Sequence, residues 1–523
     1  MTVIKNKLKD RIIELLPIFI CLCASLVPNI LQAHGSEIPC KPFEPVYVGP
    51  ELNSSDLKAF RSPEPVAASL PNDPFLEKQW YLYNYGQPDD QGNLGVPGCD
   101  SNILESWKSY HPQKEVILAI VDSGLDLTHE DIDPSFLWTN PGETGTDADG
   151  KDKATNGKDD DGNGYIDDIH GWNFQRNTPN IQEDQYHGTH VTGMLSATSN
   201  NTIGISGSFP FLKIMPVKIF GLGNDLSSAE IAKAIHYAVD NGAKVLSNSY
   251  GTPSFSQDMK DAISYCNSKG VLFVCASGNY RKNMDVEEEK DYPSCYGLEN
   301  ELVVGATDNR DLSTFSNFGS MVEIVAPGDN IFSLWPKSKY RSLSGTSQAC
   351  PLVAATAVMT WSQHPEWTWR EVKQNLLSGA DQIQGLSRYV KGGLRLNVGN
   401  SIKGKTGIRL PQNDYNTWKT MDYLLESKHP YLNGQTATFS INIENAKKFR
   451  LHFAQLAIDH YDDYLSILDR NASMTEFING VFGESWSEPI EGNQATLILK
   501  ANDYVNEYGF KIDKVQFQPE ERK

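Results

Sequence analysis

The chain has 523 residues, enough at roughly 150 residues per domain for two to four domains. Hydrophobic residues make up 39% of it and aromatics 10%, which excludes a disordered or fibrous chain. Lys and Arg number 46 against 66 Asp and Glu, a formal charge of −20, which argues against a nucleic-acid-binding protein because phosphate recognition needs a basic surface.

Residues 1–33 read as an export signal. Lys5, Lys7, Lys9 and Arg11 form a basic start, 15–31 is mostly apolar, and Leu31-Gln32-Ala33 is an acceptable small-residue cleavage site. Pro17 and Pro28 argue against an uncleaved anchor helix. No apolar run of about 20 residues follows, so the mature chain is expected to be secreted, periplasmic or extracellular, without a membrane span. Cys21 and Cys23 leave with the signal. Cys40, Cys99, Cys266, Cys275, Cys295 and Cys350 remain, an even number that suits disulfides in an exported chain, with the pairing open. Free buried thiols suit Cys275 and Cys350 equally, since both lie in apolar segments.

Residues 34–72 are rich in Pro, Ser and Glu and read as a short pro-segment or an N-terminal arm. From 73 to 403, apolar runs of strand length alternate with helical patterns. The runs are 115–121, 212–220, 243–247, 271–276, 302–306 and 322–326, as expected of parallel strands buried on both faces. The helix predicted over 227–240 opens on a capping box, Ser227 and Glu230, and stops at Gly242. The fold class is therefore α/β, a doubly wound parallel sheet, whose sites gather at the carboxyl ends of strands. Residues 404–417 read as a linker. Over 418–520 apolar and polar residues alternate, predicting antiparallel strands and a C-terminal all-β sandwich.

Three residues stand at strand ends or helix starts. Asp122 follows the run ending at Val121, His187 opens His187-Gly-Thr-His190, and Ser347 ends Gly345-Thr-Ser347 before an apolar helix. A serine alcohol becomes a nucleophile when a base takes its proton and a carboxylate orients that base. A helix N-terminus presents N–H groups to a developing oxyanion, and Asn279, at the end of 271–276 and its turn, is a second donor of that kind.

Taken in this order with their flanks, these segments resemble the subtilisin-like serine proteases, or subtilases, over residues 73–403. Pro71-Asn-Asp-Pro74, Gln79-Trp80, Asn248-Ser-Tyr-Gly251, Ala326-Pro-Gly328 and 394–399 carry the resemblance further. It implies a serine endopeptidase acting on peptide or protein substrates, with Ser347 as nucleophile, His187 as base, Asp122 as its orienting carboxylate and Asn279 in the oxyanion hole. His190 is then structural. Gln348 stands where relatives commonly carry Met. Ser249, Tyr250 and Gly251 resemble the strand that pairs with a substrate backbone, and 221–224 its opposite wall. Asp291 maps near the base of the S1 pocket, where a carboxylate would favour Arg or Lys at P1, as in a processing enzyme. A catalytically silent binding protein on the same fold, acting through its β-domain, is the alternative. The segment 34–72 is shorter than the folded pro-domain that relatives usually carry.

Calcium is the expected cofactor. Asp159, Asp161 and Asn163, then Gly164, have the spacing of the start of an EF-hand loop. No helix precedes them and His170 holds the twelfth position, so a calcium loop of another kind is expected, completed by Asp167 or Asp168. Zinc is not expected, for want of His and Cys at ligand spacing. By resemblance, Asn201, Ile203 and Ile205 form a second calcium loop with Asp131. Also by resemblance, 418–520 looks like a CUB module without its usual cysteines, with Asp459, Asp463 and Asp503 at the calcium positions. It reads as an accessory for a surface or protein ligand, on a monomer.

Overall fold

The computed structural model describes residues 41–42, 47–48, 70–209, 211–223, 225–459 and 463–520. The chain divides into two units, Met1–Pro39 and Cys40–Lys523. The first, with the signal segment, lies outside the described residues, as do Cys40 and most of 34–72. No helix among the described residues is long and apolar enough to cross a membrane.

In chain order the first fourteen strands are β1 (Lys41–Pro42), β2 (Tyr47–Val48), β3 (Ile117–Asp122), β4 (Trp172–Asn173), β5 (Lys213–Lys218), β6 (Val245–Asn248), β7 (Tyr250–Gly251), β8 (Leu272–Ala276), β9 (Glu301–Thr307), β10 (Ile324–Pro327), β11 (Ile331–Trp335), β12 (Lys339–Ser344), β13 (Asp381–Gln382) and β14 (Leu394–Arg395). Among the described residues the main sheet runs β13-β14-β10-β9-β8-β6-β3-β5-β4. Its pairs are parallel except at the β13 edge. Strands β8 and β9 are buried along their whole length, which is why they read as unbroken apolar runs. Successive side chains point to opposite faces. Leu118 and Ile120 of β3 join Val245, Leu272 and Leu302 in one core layer, while Ala119 and Val121 join Met215, Leu246 and Phe273 in the other.

Helices α1 (Ile103–Trp107), α2 (His187–Ser196), α3 (Ser228–Asp240), α4 (Gln257–Ser268), α5 (Thr346–Gln363), α6 (Trp369–Gly379) and α7 (Val398–Lys403) cover the sheet. The predicted capping box of α3 is present, with Ser227 accepting from the Glu230 N–H and Glu230 reaching back. Helix α5 is buried over nearly its whole length and is apolar on all sides.

The C-terminal part is two antiparallel sheets. One joins Lys419–Glu426, Gly509–Pro519, Ala446–Ile458 and Gly480–Val481, and the other joins Thr436–Asn442, Gln494–Lys500, Tyr464–Asp469 and Met474–Ile478. Phe449, Phe453, Ile467, Leu497, Phe510 and Val515 fill their shared core. This β-domain docks on the α/β part through a buried ion pair. Arg388 Nε lies 2.7 Å from Glu476 Oε1, and Arg388 also donates to Ser485 Oγ and the Trp486 carbonyl. Cys99, Cys266, Cys275, Cys295 and Cys350 are all free thiols, so the structure forms no disulfide among the described residues.

Truncating one partner of a buried ion pair strands the other charge at a cost of about 3 kcal/mol or more. Glu476→Ala is therefore expected to lower the melting temperature of the full chain by several degrees, measured by calorimetry, whereas Glu426→Ala on the exposed rim should move it by less than about 2 °C.

Candidate active site

Strand β3 ends on Asp122 and α2 begins on His187. The His187 Nδ1 lies 2.8 Å from Asp122 Oδ1 and 3.0 Å from Oδ2, and both side chains are buried. The approach depends on glycine. A Cβ on Gly188 would sit 2.2 Å from the Gly124 carbonyl oxygen, so the first turn of α2 lies backbone against backbone on the end of β3. Gly124 takes a φ of +104°, which suits glycine. Ser123 ties the two elements: its Oγ accepts from the Gly188 N–H at 2.7 Å and donates to Glu183 Oε2 at 2.8 Å. Glu183 also accepts from the Thr189 N–H at the helix N-terminus, a favourable place for a carboxylate. Burial raises the Glu183 pKa while nearby Lys218 lowers it. Sequence reasoning missed Glu183, whose signal is an acid four residues before the histidine.

Ser347 lies in the first turn of α5, buried. Pro351 has no N–H, so the helix cannot satisfy the Ser347 carbonyl four residues back. The Ser249 hydroxyl does so instead, at 3.0 Å, and the Ser347 hydroxyl donates to the Ser249 carbonyl at 3.3 Å. Asn279 is anchored by its oxygen, which accepts from Thr346 N at 2.8 Å and Thr346 Oγ1 at 2.9 Å. That fixes the amide plane of Asn279 beside the serine. The Gln348 side chain lies 3.5 Å from His190 Nδ1, joining the residues next to the two motifs. His190 Nε2 donates to the Arg341 carbonyl, and burial pushes its pKa down to about 3, so it stays neutral.

Strand β1 pairs antiparallel with β7, Lys41 opposite Gly251 and Pro42 opposite Tyr250. The chain's own segment thus uses the backbone groups of β7 as an extended peptide would. Lys41 reaches Asp225 at 2.9 Å, and β2 pairs antiparallel with β12, just before the serine turn. Of the opposite wall, Gly221 and Leu222 are held through their carbonyls by Gln175 and Arg176, and Asn224 lies outside the described residues. Asp291 reads from the sequence as a candidate acid near the base of the S1 pocket. It lies beside Tyr292, which pairs with Thr252 next to β7, but its carboxylate is buried and already matched: Lys282 Nζ lies 3.1 Å away and Asn317 Nδ2 donates to it at 2.9 Å. Its charge is balanced by Lys282 in this structure.

Residues 113–400, more than half of the chain, match the subtilase family. The chain belongs to the subtilases. Its relatives include a thermophilic serine proteinase of Bacillus sp. (strain AK1), 32% identical over 345 residues, 65% of this chain and 76% of the relative. Subtilisin Savinase of Lederbergia lenta is 36% identical over 223 residues, 42% of this chain and 80% of its own. Thermitase of Thermoactinomyces vulgaris is 36% identical over 222 residues, 42% and 76% of the two chains. Residues 414–513 match the CUB domain. This subtilase is accordingly a serine endopeptidase carrying a C-terminal CUB-type β-domain.

The acidic residues of this subtilase separate into three places. Among the described residues, Glu143, Asp159 and Asp161 bring carboxylate oxygens within 4.8 Å of one another. Glu143 is buried; its Oε1 accepts from the Asp160 N–H, while Oε2 has no hydrogen-bond partner among the described residues. A buried carboxylate oxygen with no donor is costly, and its neighbours are further acids, so a hard cation fits this set. Asp168 adjoins it through Asn140, which donates to both Asp161 and Asp168, and the Asn163 amide donates to the same two carboxylates. Asp167 does not adjoin it: its oxygens accept from the Gly157 N–H, outside the cluster. Glu143, missed in the sequence, lies far upstream of the Asp-rich loop, and only folding brings it there.

At the second loop, Asp131 Oδ1 accepts from Asn201 Nδ2 at 2.7 Å and Oδ2 from the Ile205 N–H at 2.9 Å. Ile203 donates its N–H to Asn201 Oδ1. Asp73, from the Pro71–Pro74 segment and not assigned to this loop from the sequence, accepts from the Asn200 and Asn201 N–H groups beside them. Burial, with Asp73 adding to it, pushes the Asp131 pKa up to about 7. In the β-domain, Asp459, Asp463 and Asp503 do not form such a three-carboxylate cluster among the described residues. Asp463 accepts instead from the Tyr431 hydroxyl and the Asn502 N–H.

Gly188→Ala tests the backbone contact under the Asp122–His187 pair. The methyl group must push α2 away from β3, so peptidase activity is expected to fall at least a hundredfold. Gly270→Ala, at an open turn where φ is +70° and no atom lies within 4 Å of the added Cβ, should leave activity within about threefold.

Proposed function

We propose that this subtilase is a secreted, calcium-stabilised endopeptidase that cleaves peptides or proteins bound as an extended strand on β7. The observation that carries this reading is the pairing of β1 on β7 beside the serine turn, with the Asp122–His187 pair built next to it. Ser347 Oγ would attack the scissile carbonyl as His187 takes its proton through Nε2. Asp122, bonded to Nδ1, holds the imidazole in that tautomer and stabilises the imidazolium that forms. The carbonyl oxygen becomes an oxyanion held by the Asn279 amide and the Ser347 N–H at the start of α5. His187 then protonates the leaving amine, and water releases the acyl group by the reverse roles. A silent binding protein would be favoured by loss of one of these groups, and all four are present.

We assign no preference for a basic P1 residue, since Lys282 compensates Asp291. Calcium bound by Glu143, Asp159 and Asp161 would supply positive charge that joins the Asp-rich loop to the segment carrying Glu143. The arm bearing β1 would hold the groove until it is removed or displaced. Residues 1–33, read as an export signal, support a location outside the cytoplasm.

Ser347→Ala is expected to abolish cleavage of a mixed peptide library read by mass spectrometry, and Asn279→Ala to lower kcat about 10²- to 10³-fold with KM nearly constant. Products cut only after Arg or Lys would overturn the P1 assignment. Chelation should lower the melting temperature by roughly 5 °C or more, and Glu143→Gln should narrow the difference between calcium and chelator. An unchanged melting temperature in chelator would remove calcium from the reading.

A further inference from the structure

We propose that the β-domain is part of the active-site framework of this subtilase, and that Arg281 is the positioning residue through which it holds the turn bearing Asn279. This rests on Asn279 being an oxyanion donor, as read above.

Arg281 lies two residues after Asn279. It is buried, and its backbone has a φ of +52°, a left-handed conformation uncommon outside glycine and asparagine. Such a conformation persists only where surrounding contacts hold it. The backbone is held by the α/β part: the Arg281 N–H donates to the Phe315 carbonyl at 2.9 Å. The Asn317 side chain brackets the same turn, accepting from the N–H groups of Tyr280 at 2.9 Å and Lys282 at 3.0 Å.

The side chain is held by both parts. Arg281 Nη1 donates to the Ser313 carbonyl at 2.6 Å. Nε and Nη2 both donate to the backbone carbonyl of Asn479 in the β-domain, at 3.3 and 3.2 Å. The guanidinium stacks 4.0 Å from the Tyr389 ring centre. No carboxylate is among these partners, so this buried cation depends on carbonyl oxygens, the Ser313 hydroxyl and the rings of Tyr389 and Phe318 for its satisfaction. One of the two carbonyls comes from the other domain.

The β-domain presents Asn479 rigidly. Its side-chain amide donates to the Thr314 carbonyl at 3.0 Å, its N–H to the Tyr389 hydroxyl at 3.3 Å, and that hydroxyl in turn to the Phe477 carbonyl at 2.8 Å. Phe482 packs on Phe318 and Tyr389 alongside. The Arg388–Glu476 pair anchors the same face. A tethered binding module would need none of this next to the Asn279 turn. The arrangement instead makes the β-domain one wall of the cage around Arg281. A loss of that carbonyl would let the turn relax and take the Asn279 amide away from the position in which Thr346 holds it.

The test is a mutant cycle on the full chain with a fluorogenic peptide. Arg281→Ala and Arg281→Lys are compared in the wild-type and Asn279→Ala backgrounds, with calorimetry to identify the folded variants. Arg281→Lys keeps the charge but not the planar fork, and carries the test if Arg281→Ala fails to fold. The expected result is a fall in kcat of about tenfold or more for either Arg281 variant, with KM within about twofold. In the Asn279→Ala background the same substitution should change kcat less than about twofold, because the donor it positions is gone. An equal loss in both backgrounds, a rise in KM alone, or an unchanged kcat would overturn the inference while leaving the catalytic reading intact. If Asn279→Ala itself left kcat unchanged, the reading beneath it would fail first, and the inference with it.

Discussion

The Asp122 carboxylate reaches the His187 imidazole because the start of α2 lies directly on the backbone at the end of β3, with Gly188 against Gly124. No side chain fits between them. This contact decides where the histidine stands relative to the sheet, and other groups are arranged to maintain it. Ser123 and Glu183 supply acceptors to the first N–H groups of α2, which no helix can satisfy internally. Lys218, one strand over on β5, donates to the Ser123 carbonyl and to the half-buried Asp184, so a buried cation sits behind this junction. The strand end, the helix start and the neighbouring strand are joined by charge-assisted bonds in a dry environment, where such bonds are strong.

The serine side of the site follows from a second local rule. Proline in the second turn of α5 frees one carbonyl, and that carbonyl belongs to Ser347. Ser249, beside β7, takes it. Ser249 is thereby bonded to the backbone of Ser347, the nucleophile of the proposed reaction. Asn279 is bonded on the other side to Thr346. Strands β6 and β8 and helix α5, all packed in one sheet-and-helix core, hold these three segments at fixed separation. Interiors of this density transmit little slack, which is what preorganised oxyanion donors require.

Acidic residues illustrate how the same chemical group serves different ends. Asp122 bonds the His187 imidazole. Asp291 balances Lys282 in a buried pair. Glu476 balances Arg388 across the domain junction. Glu143 keeps a buried oxygen with no donor beside two more acids, the arrangement that fits a cation. The net charge of −20 does not distinguish among these; the nearest cation or N–H group does.

Much of the fold and the four groups proposed for catalysis were legible in the sequence, because each of those signals is local. A strand buried on both faces must be an apolar run, a helix start needs a cap, and Asp122, His187, Ser347 and Asn279 each sit at the end of such an element with recognisable neighbours. The β-domain was legible from alternation alone. What was not legible concerns long-range partners. Whether Asp291 stays an open acid depends on Lys282 and Asn317, and which acid completes the Asp159 cluster depends on Glu143 from a separate turn. The role of Arg281 depends on a carbonyl nearly two hundred residues away, at Asn479. Sequence by itself determined which backbone conformations and chemical groups were present, since those follow from each residue and its near neighbours. Only the tertiary structure decided which charges met, because electrostatic energy depends on distance and burial, and both are set by packing between segments far apart in the chain.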